Sequence, residues 1–436
     1  MKSLESCTCH TEHSEVSCNT ESSLDLPLES LSLQSFLQSL HKEQWQEVRL
    51  GEVAEIVNGY AFKSKEFLNI QQRDSLPIIK IKNVANGDVN LNDVVFYPYS
   101  KQLEKFLIKY GDILVSLTGN HPQAQSQVVG QISKYKYKQF ALLNQRVAKI
   151  VTKDAEQDFL YYLLKTNKIH NILASHSSGS ANQANISSKD IENLTIPLPP
   201  LTIQQKIAEI LSSFDDKIDL LHRQNKTLES LALTLFRHYF IDNPNRSEWE
   251  EVSLDDICLK IASGGTPSTT IKEYYCGNIN WYSTKEFNDN FLFNSVQTIT
   301  ENGLANSSAK LFPKDTIVIA IYAAPTVGRL GILTQDSAFN QAACGLIVDE
   351  TQCSKEFIFL FLKNERKNLN LLASGSAQQN LNVEKIKSYT LALPDKNSLC
   401  CFNIQAKGFF DKIHNNSKQI QNLQAMRDLM LRRMFN

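Results

Sequence analysis

The 436-residue chain has no apolar run approaching the ~18 residues that a membrane span needs. Its longest candidate, "TIVIAIYAAP" (Thr316 to Pro325), stops at a proline, so no membrane-spanning helix is expected. The N-terminal stretch of this sequence shows no basic-then-apolar pattern, so export is not expected. Its 9 cysteines are odd in number and irregularly placed, which fits a reducing compartment better than a disulfide framework. The expectation is a cytoplasmic protein. Catalytic motifs are also missing. There is no Gly-Lys-Ser/Thr phosphate loop, no Asp/Asn-Pro-Pro-aromatic methyltransferase signature and no zinc-protease helix. "DNPNRSEW" (Asp242 to Trp249) comes nearest to the second of these, but it lacks the second proline and the aromatic, and it reads as a polar linker. Near the N-terminus, Cys7, Cys9, His10, His13 and Cys18 are metal-capable. Their spacing fits no standard zinc module and their flanks are acidic and Ser-rich, so no metal is expected there.

Net charge is low, −1, but unevenly spread. Residues 1–44 hold 2 basic and 7 acidic side chains, whereas residues 60–150 hold 13 Lys/Arg against 6 Asp/Glu. Residues 249–395 reverse the balance, with 12 against 16. A basic region favours a polyanion, because each neutralised phosphate releases counterions. A solvated surface carries such an excess equally well.

What the chain does have is a repeat. "SGSANQ" at Ser178 returns 196 positions later as "SGSAQQ" at Ser374. "WQEVRL" (Trp45) returns as "WEEVSL" (Trp249), "GDILV" (Gly111) as "KDTIV" (Lys314), and "LNQRV" (Leu143) as "FNQAA" (Phe339). "LTIPLP" (Leu194) returns as "YTLALP" (Tyr389), and "FDDKI" (Phe214) as "FFDKI" (Phe409). The offset drifts only from 204 to 195, which is one continuous domain duplication with small loop changes.

Each copy opens with a mixed α/β head. Short β-branched runs, "LPIIKIKNV" (Leu76 to Val84), "GDILVSL" (Gly111 to Leu117) and "QRVAKIV" (Gln145 to Val151), predict strands. "DFLYYLLKTNKIHNILA" (Asp158 to Ala174) predicts one helix started by an Asp cap. Each copy closes with a long helix. In the first, Ile207, Leu211, Phe214, Ile218, Leu221, Asn225, Leu228, Ala232, Leu235 and Tyr239 alternate steps of four and three, a coiled-coil seam with one polar residue, Asn225. The second seam is rougher: Ala406, Phe409, Ile413, Asn416, Ile420, Leu423, Met426, Met430 and Met434. Two such helices in one chain most economically pair with each other. The resulting organisation is an N-terminal extension (1–44), a first head (45–200), a central helix (201–240), a linker (241–248), a second head (249–395) and a C-terminal helix (396–436). The fold class is mixed α/β, two duplicated heads on an antiparallel coiled coil.

These segments in this order, with "GYAFKS" (Gly59), "SGGTPS" (Ser263) and "LPPLTIQQKIAEIL" (Leu198), resemble the specificity subunit of type I restriction-modification systems over roughly residues 45 to 436. The resemblance implies that each head is a target recognition domain reading one half of a bipartite double-stranded DNA site. It implies that the helices space the halves and dock two methyltransferase subunits, with restriction/translocase subunits completing the complex. S-adenosylmethionine, ATP and magnesium would then belong to the partners, and this chain would be non-catalytic. A self-sufficient restriction or methylation enzyme and a protein-binding scaffold are the rival readings.

Candidate DNA contacts follow from side-chain chemistry. "SKYKYKQF" (Ser133 to Phe140), read as a strand, puts Lys134, Lys136 and Lys138 on one face for phosphates and Tyr135 and Tyr137 on the other. A lysine-rich solvated edge strand is the structural alternative. Asn144 and Arg146 offer an amide for adenine and a guanidinium for guanine, although "NQ" recurs at Asn340 and Gln341, as a shared structural turn would require. Lys63, Lys80 and Lys82 complete the first head's candidates, and Lys285 and Arg329 are the second head's.

Overall fold

The structure, a computed structural model, describes residues 35–84, 88–120, 129–180, 183–322, 326–374 and 381–435. The N-terminal Cys/His cluster, Ala181 and Asn182 of the first hexapeptide, and residues 375–380 covering most of the second lie outside them. The chain forms two compact units. One runs to Ile207 and takes up the C-terminal residues from Arg432, and the other is Ala208–Leu431.

In the first unit the strands are β1 (Gln46–Arg49), β2 (Ala54–Asn58), β3 (Ser75–Ile79), β4 (Val95–Pro98), β5 (Leu107–Ile108), β6 (Ile113–Ser116), β7 (Thr118–Gly119), β8 (Ile132–Lys134), β9 (Ala141–Leu143), β10 (Val147–Thr152), β11 (Ser178–Ser180), β12 (Gln183–Asn185) and β13 (Thr195–Leu198). They form an antiparallel sheet β2-β10-β6-β8, a mixed sheet β4-β3-β9-β5, and a small sheet β11-β12-β7. β1 pairs antiparallel with β13, so the entry and exit of the head are zipped together. The predicted strand at 76–84 stops at Ile79, and Ile81–Val84 is a single helical turn.

The second unit repeats this plan. Its strands are β14 (Glu250–Ser253), β15 (Cys258–Ser263), β16 (Tyr275–Tyr282), β17 (Asn290–Leu292), β18 (Gln297–Ile299), β19 (Ile317–Ala320), β20 (Leu330–Leu333), β21 (Ser337–Phe339), β22 (Ala343–Val348) and β23 (Thr390–Leu393). β14 pairs with β23 as β1 does with β13. β15-β22-β19-β20 matches β2-β10-β6-β8, and the parallel pair β16–β21 matches β3–β9. β17, alongside β20, is an addition of the second head.

The single helix predicted at 158–174 is two: α1 (Gln157–Leu164) and α2 (Asn167–Ser175). Glu156 caps α1 by accepting from the Phe159 amide, in place of the predicted Asp cap, and Thr166 caps α2. A threonine whose side chain bonds the backbone three residues on starts a new helix more readily than it continues an old one. After β13 comes α3 (Leu201–Phe236), which ends in a π-helical turn, Arg237–Ile241. In the second unit α4 (Lys355–Asn364) and α5 (Arg366–Ser374) correspond to α1 and α2, and α6 (Lys396–Phe435) corresponds to α3. No helix among the described residues is long and apolar enough to cross a membrane.

Inside the second unit α3 and α6 are antiparallel partners. Ile210, Leu211, Phe214, Ile218, Leu221, Ile413, Ile420, Leu423 and Met430 are buried, and Leu228 is half-buried. Ile207 is buried in the first unit. At three seam positions the neighbouring residue is the buried one: Phe236, Phe240 and Phe410 are buried, while Leu235, Tyr239 and Phe409 are half-buried. Near the second head both helices advance in steps of four, Ala232–Phe236–Phe240 and Phe402–Ala406–Phe410, because there they face the head's core as well as each other. The π turn accommodates the extra rotation. Asn225 and Asn416 meet in the seam at 4% and 1% exposure; Asn416 Nδ2 donates to Asn225 Oδ1 at 2.9 Å, and Asn225 Nδ2 to Ser417 Oγ at 3.1 Å. Arg427 donates to the buried Asp215 at 2.8 Å.

The helix ends obey the duplication. In the second unit Phe240 lies against Trp249 (6.1 Å between ring centroids) and Phe357 (4.9 Å). In the first unit Phe435 lies against Phe159 (5.7 Å), which meets Trp45 (6.5 Å). The tryptophan opening each repeat therefore roofs an aromatic cluster that the far end of a long helix completes.

Candidate nucleic-acid interface

Strand direction decides which loops share a surface. In the first unit Asn58 pairs with Ala148, Val147 with Ser116, and Ile79 with Leu143. The loops leaving β2, β3, β6 and β9 therefore emerge at one edge. At its centre is the turn Asn144–Gln145–Arg146, whose backbone is held by four hydrogen bonds. Asn144 N donates to Ile79 O (3.3 Å), Gln145 N to Tyr60 O (2.9 Å) and Val147 N to Asn144 O (2.8 Å), while Arg146 O accepts from Leu117 N (3.0 Å). A Cβ on Gly59 would lie 2.1 Å from Asn144 O, so only glycine lets the loop pass this close. The side chains of Gln145 and Arg146 are exposed, and Arg146 makes no ion pair among the described residues. The hairpin β11–β12, which carries the described part of the first hexapeptide, joins the same edge through β7.

Lys80 and Lys82 leave this edge after β3. Lys82 is exposed on the helical turn. Lys80 lies over the Phe67 ring at 4.2 Å, and burial, reinforced by the positive charge of Lys82, pulls its ammonium below the usual lysine range. Lys63 sits in the loop from β2, highly exposed and 3.9 Å from Glu66.

The lysine–tyrosine run behaves differently. The strand ends at Lys134, so its residues do not alternate across a sheet. Ile113 pairs with Lys134, which places this segment at the edge opposite the Asn144 turn. Lys134 reaches Asp158 at 2.7 Å and Lys136 reaches Asp88 at 2.9 Å. Although burial opposes its ionisation, Lys165, Lys136 and the Tyr161 hydroxyl hold the Asp88 carboxyl below its ordinary range. Tyr135 is wholly buried, donates to Gln139 O at 2.9 Å, and is pushed up in pKa by burial and by Tyr137. Tyr137 is half-buried against its ring. The run thus anchors α1 and the core. Lys138 alone of the five is exposed without an ion pair among the described residues.

The second unit rebuilds the first edge. Asn340 N donates to Tyr282 O (2.9 Å), Ala343 N to Asn340 O (3.1 Å) and Ile321 N to Ala342 O (2.8 Å). A Cβ on Gly264 would meet Phe339 O at 2.1 Å. The recurring Asn-Gln is therefore a shared structural turn, and its exposed glutamine sits on a fixed backbone. Lys285 takes the place of Lys82, on a turn whose capping box joins Ser283 and Glu286, and it is exposed. Arg329 corresponds to Gln131 and is half-buried beside the turn at Gly328. Tyr60, Gln145, Thr266, Gln341 and Lys310, which donates to Ser263 O at 3.2 Å, stand at these edges without being sequence candidates. Aligning the two repeats around Gly59 and Gly264 marks the first four, whereas Lys310 reaches the edge only through folding.

Comparison with known proteins gives the same result in both repeats. A family model described as "Type I restriction modification DNA specificity domain" matches residues 42–230 and 246–419, one match per repeat. The type I restriction enzyme MjaIX specificity subunit of Methanocaldococcus jannaschii is 27% identical over 389 residues, covering 82% of this chain and 88% of its own. The EcoBI specificity subunit of Escherichia coli is 25% identical over 397 residues, with 82% and 77% covered. The type I restriction-modification S subunit from M. genitalium superposes with a TM-score of 0.58 at 16% identity, over 90% of this chain and 96% of that one. That likeness is one of fold.

Proposed function

Because the chain belongs to the type I restriction modification DNA specificity family, we propose that each of its heads reads one half of a bipartite double-stranded DNA site. One observation carries this reading. Both heads bring a glycine-clamped Asn-Gln turn and a lysine-bearing helical turn to the same strand edge, and they differ in the side chains exposed there. A rigid backbone with divergent exposed side chains is what two readers of different base sequences need. Lys82, Lys285 and Lys63 suit phosphates, which position without specifying, whereas Lys138 lies at the opposite edge. The paired helices set the gap between half-sites and dock methyltransferase subunits, two by the duplication. Restriction/translocase subunits complete the assembly. Methyl transfer, ATP use and magnesium belong to those partners, and this chain directs them.

The test is to co-express the chain with its methyltransferase partner and map the methylated bases. A bipartite motif is expected, and exchanging residues 45–200 for a relative's head should alter one half only. Methyl transfer by the pure chain with S-adenosylmethionine would favour a self-sufficient enzyme. Simultaneous change of both halves would refute independent heads.

A further inference from the structure

The two edges share a backbone but present different reading groups. After Gly59 the first head places Tyr60, 39% exposed, whose carbonyl accepts from Gln145 N, with Arg146 next in the turn. The second head has Gly265 at the Tyr60 position, where a Cβ would lie 1.9 Å from Ser308 O, so no aromatic fits. The Gly265 carbonyl instead accepts from the Trp281 indole at 2.9 Å. Ala342 replaces Arg146. Thr266 is half-buried, and its amide donates to Ser308 Oγ at 3.3 Å. Its hydroxyl donates to the Gln341 side-chain oxygen. Gln341 is exposed, so its carboxamide is oriented by the protein while its outer side remains open.

We infer that Arg146 reads a guanine in the half-site of the first head and that Gln341, held by Thr266, reads an adenine in the half-site of the second. This rests on the reading that both edges face DNA. A guanidinium offers two parallel donors to guanine O6 and N7. A carboxamide offers a donor to adenine N7 and an acceptor to the N6 amino group. The Thr266 bond uses one lone pair of the Gln341 oxygen and leaves the other for that amino group. Thr266 is a positioning residue: its hydroxyl holds the Gln341 carboxamide in place at the edge before DNA arrives.

The experiment uses the chain in complex with its methyltransferase and measures methylation of oligonucleotides carrying the mapped site. Replacing the relevant guanine by 7-deazaguanine, or the adenine by 7-deazaadenine, removes the N7 acceptor and should slow methylation roughly 5- to 150-fold at that position alone. Arg146→Gln should relax or change one base of the first half-site and leave the second half-site intact. Thr266→Val should weaken discrimination at the adenine, and Thr266→Ser should restore it, a rescue that a purely structural role would not show. A first half-site without guanine, a second without adenine, or deaza substitutions without effect at every such base would overturn the inference while the bipartite reading stands. A wild-type complex that methylates no bipartite motif would overturn both.

Discussion

The Asn225–Asn416 pair makes the alignment of the two helices measurable. Both amides are nearly inaccessible to water, and each is satisfied by the other helix. Removing one partner leaves a buried amide short of a bond, which costs about 1–3 kcal/mol. Asn225→Ala and Asn416→Ala should each destabilise by that amount. The double variant contains no orphan, so it should cost about 1–2 kcal/mol less than the sum of the singles. The same arithmetic fixes register. A slip of one heptad would face Asn225 with Leu423 and Asn416 with Ala232, orphaning both amides at roughly 2–6 kcal/mol. Replacing both asparagines by leucine should remove that penalty and raise stability by about 2 kcal/mol or more, since each buried leucine contributes about 1.5–3 kcal/mol. Urea unfolding of the four alanine-cycle proteins, followed by circular dichroism at the helical band, is the assay. Strict additivity, with the double variant within about 0.3 kcal/mol of the summed singles, would refute the coupling.

Three further outcomes are expected. Seven residues inserted after Leu221 together with seven near Asn416 preserve the seam and lengthen the pair by about 10.5 Å, so methylome mapping should find the gap between half-sites longer by about three base pairs; an unchanged gap with methylation intact would remove the helices as the ruler. Asp88 has a carboxyl held below its ordinary range, so its contribution is present above that range and lost as pH falls through the lowered value; Asp88→Asn should reduce stability near neutrality and flatten the loss below about pH 4 in a series of thermal melts. Lys82→Ala and Lys285→Ala should each lower the salt dependence of DNA binding by about one counterion, whereas Lys134→Ala, which frees Asp158, should lower the melting temperature and leave that slope unchanged.

The duplication, the seams and the mixed α/β heads were legible in the sequence because they rest on local periodicity and on recurrence, which survive without coordinates. The glycines and the Asn-Gln turn recur because both heads need the same close backbone passage, and recurrence alone marked them. Three things were decided only by tertiary structure. The lysine–tyrosine run looked like a polyanion face by composition, yet Asp158 neutralises Lys134 and Asp88 neutralises Lys136. Those ion pairs join residues distant in sequence, so no local pattern reveals them. The seam's change from Leu235 to Phe236 and from Phe409 to Phe410 arises because each helix packs on two partners at once there, which a single heptad count does not contain. Which groups stand together, Tyr60 with the Gln145–Arg146 turn and Thr266 with Gln341, follows from strand order and direction. Periodicity says which side of an element is buried, but only the closed sheet says which loops share an edge, because that depends on pairings between segments dozens of residues apart.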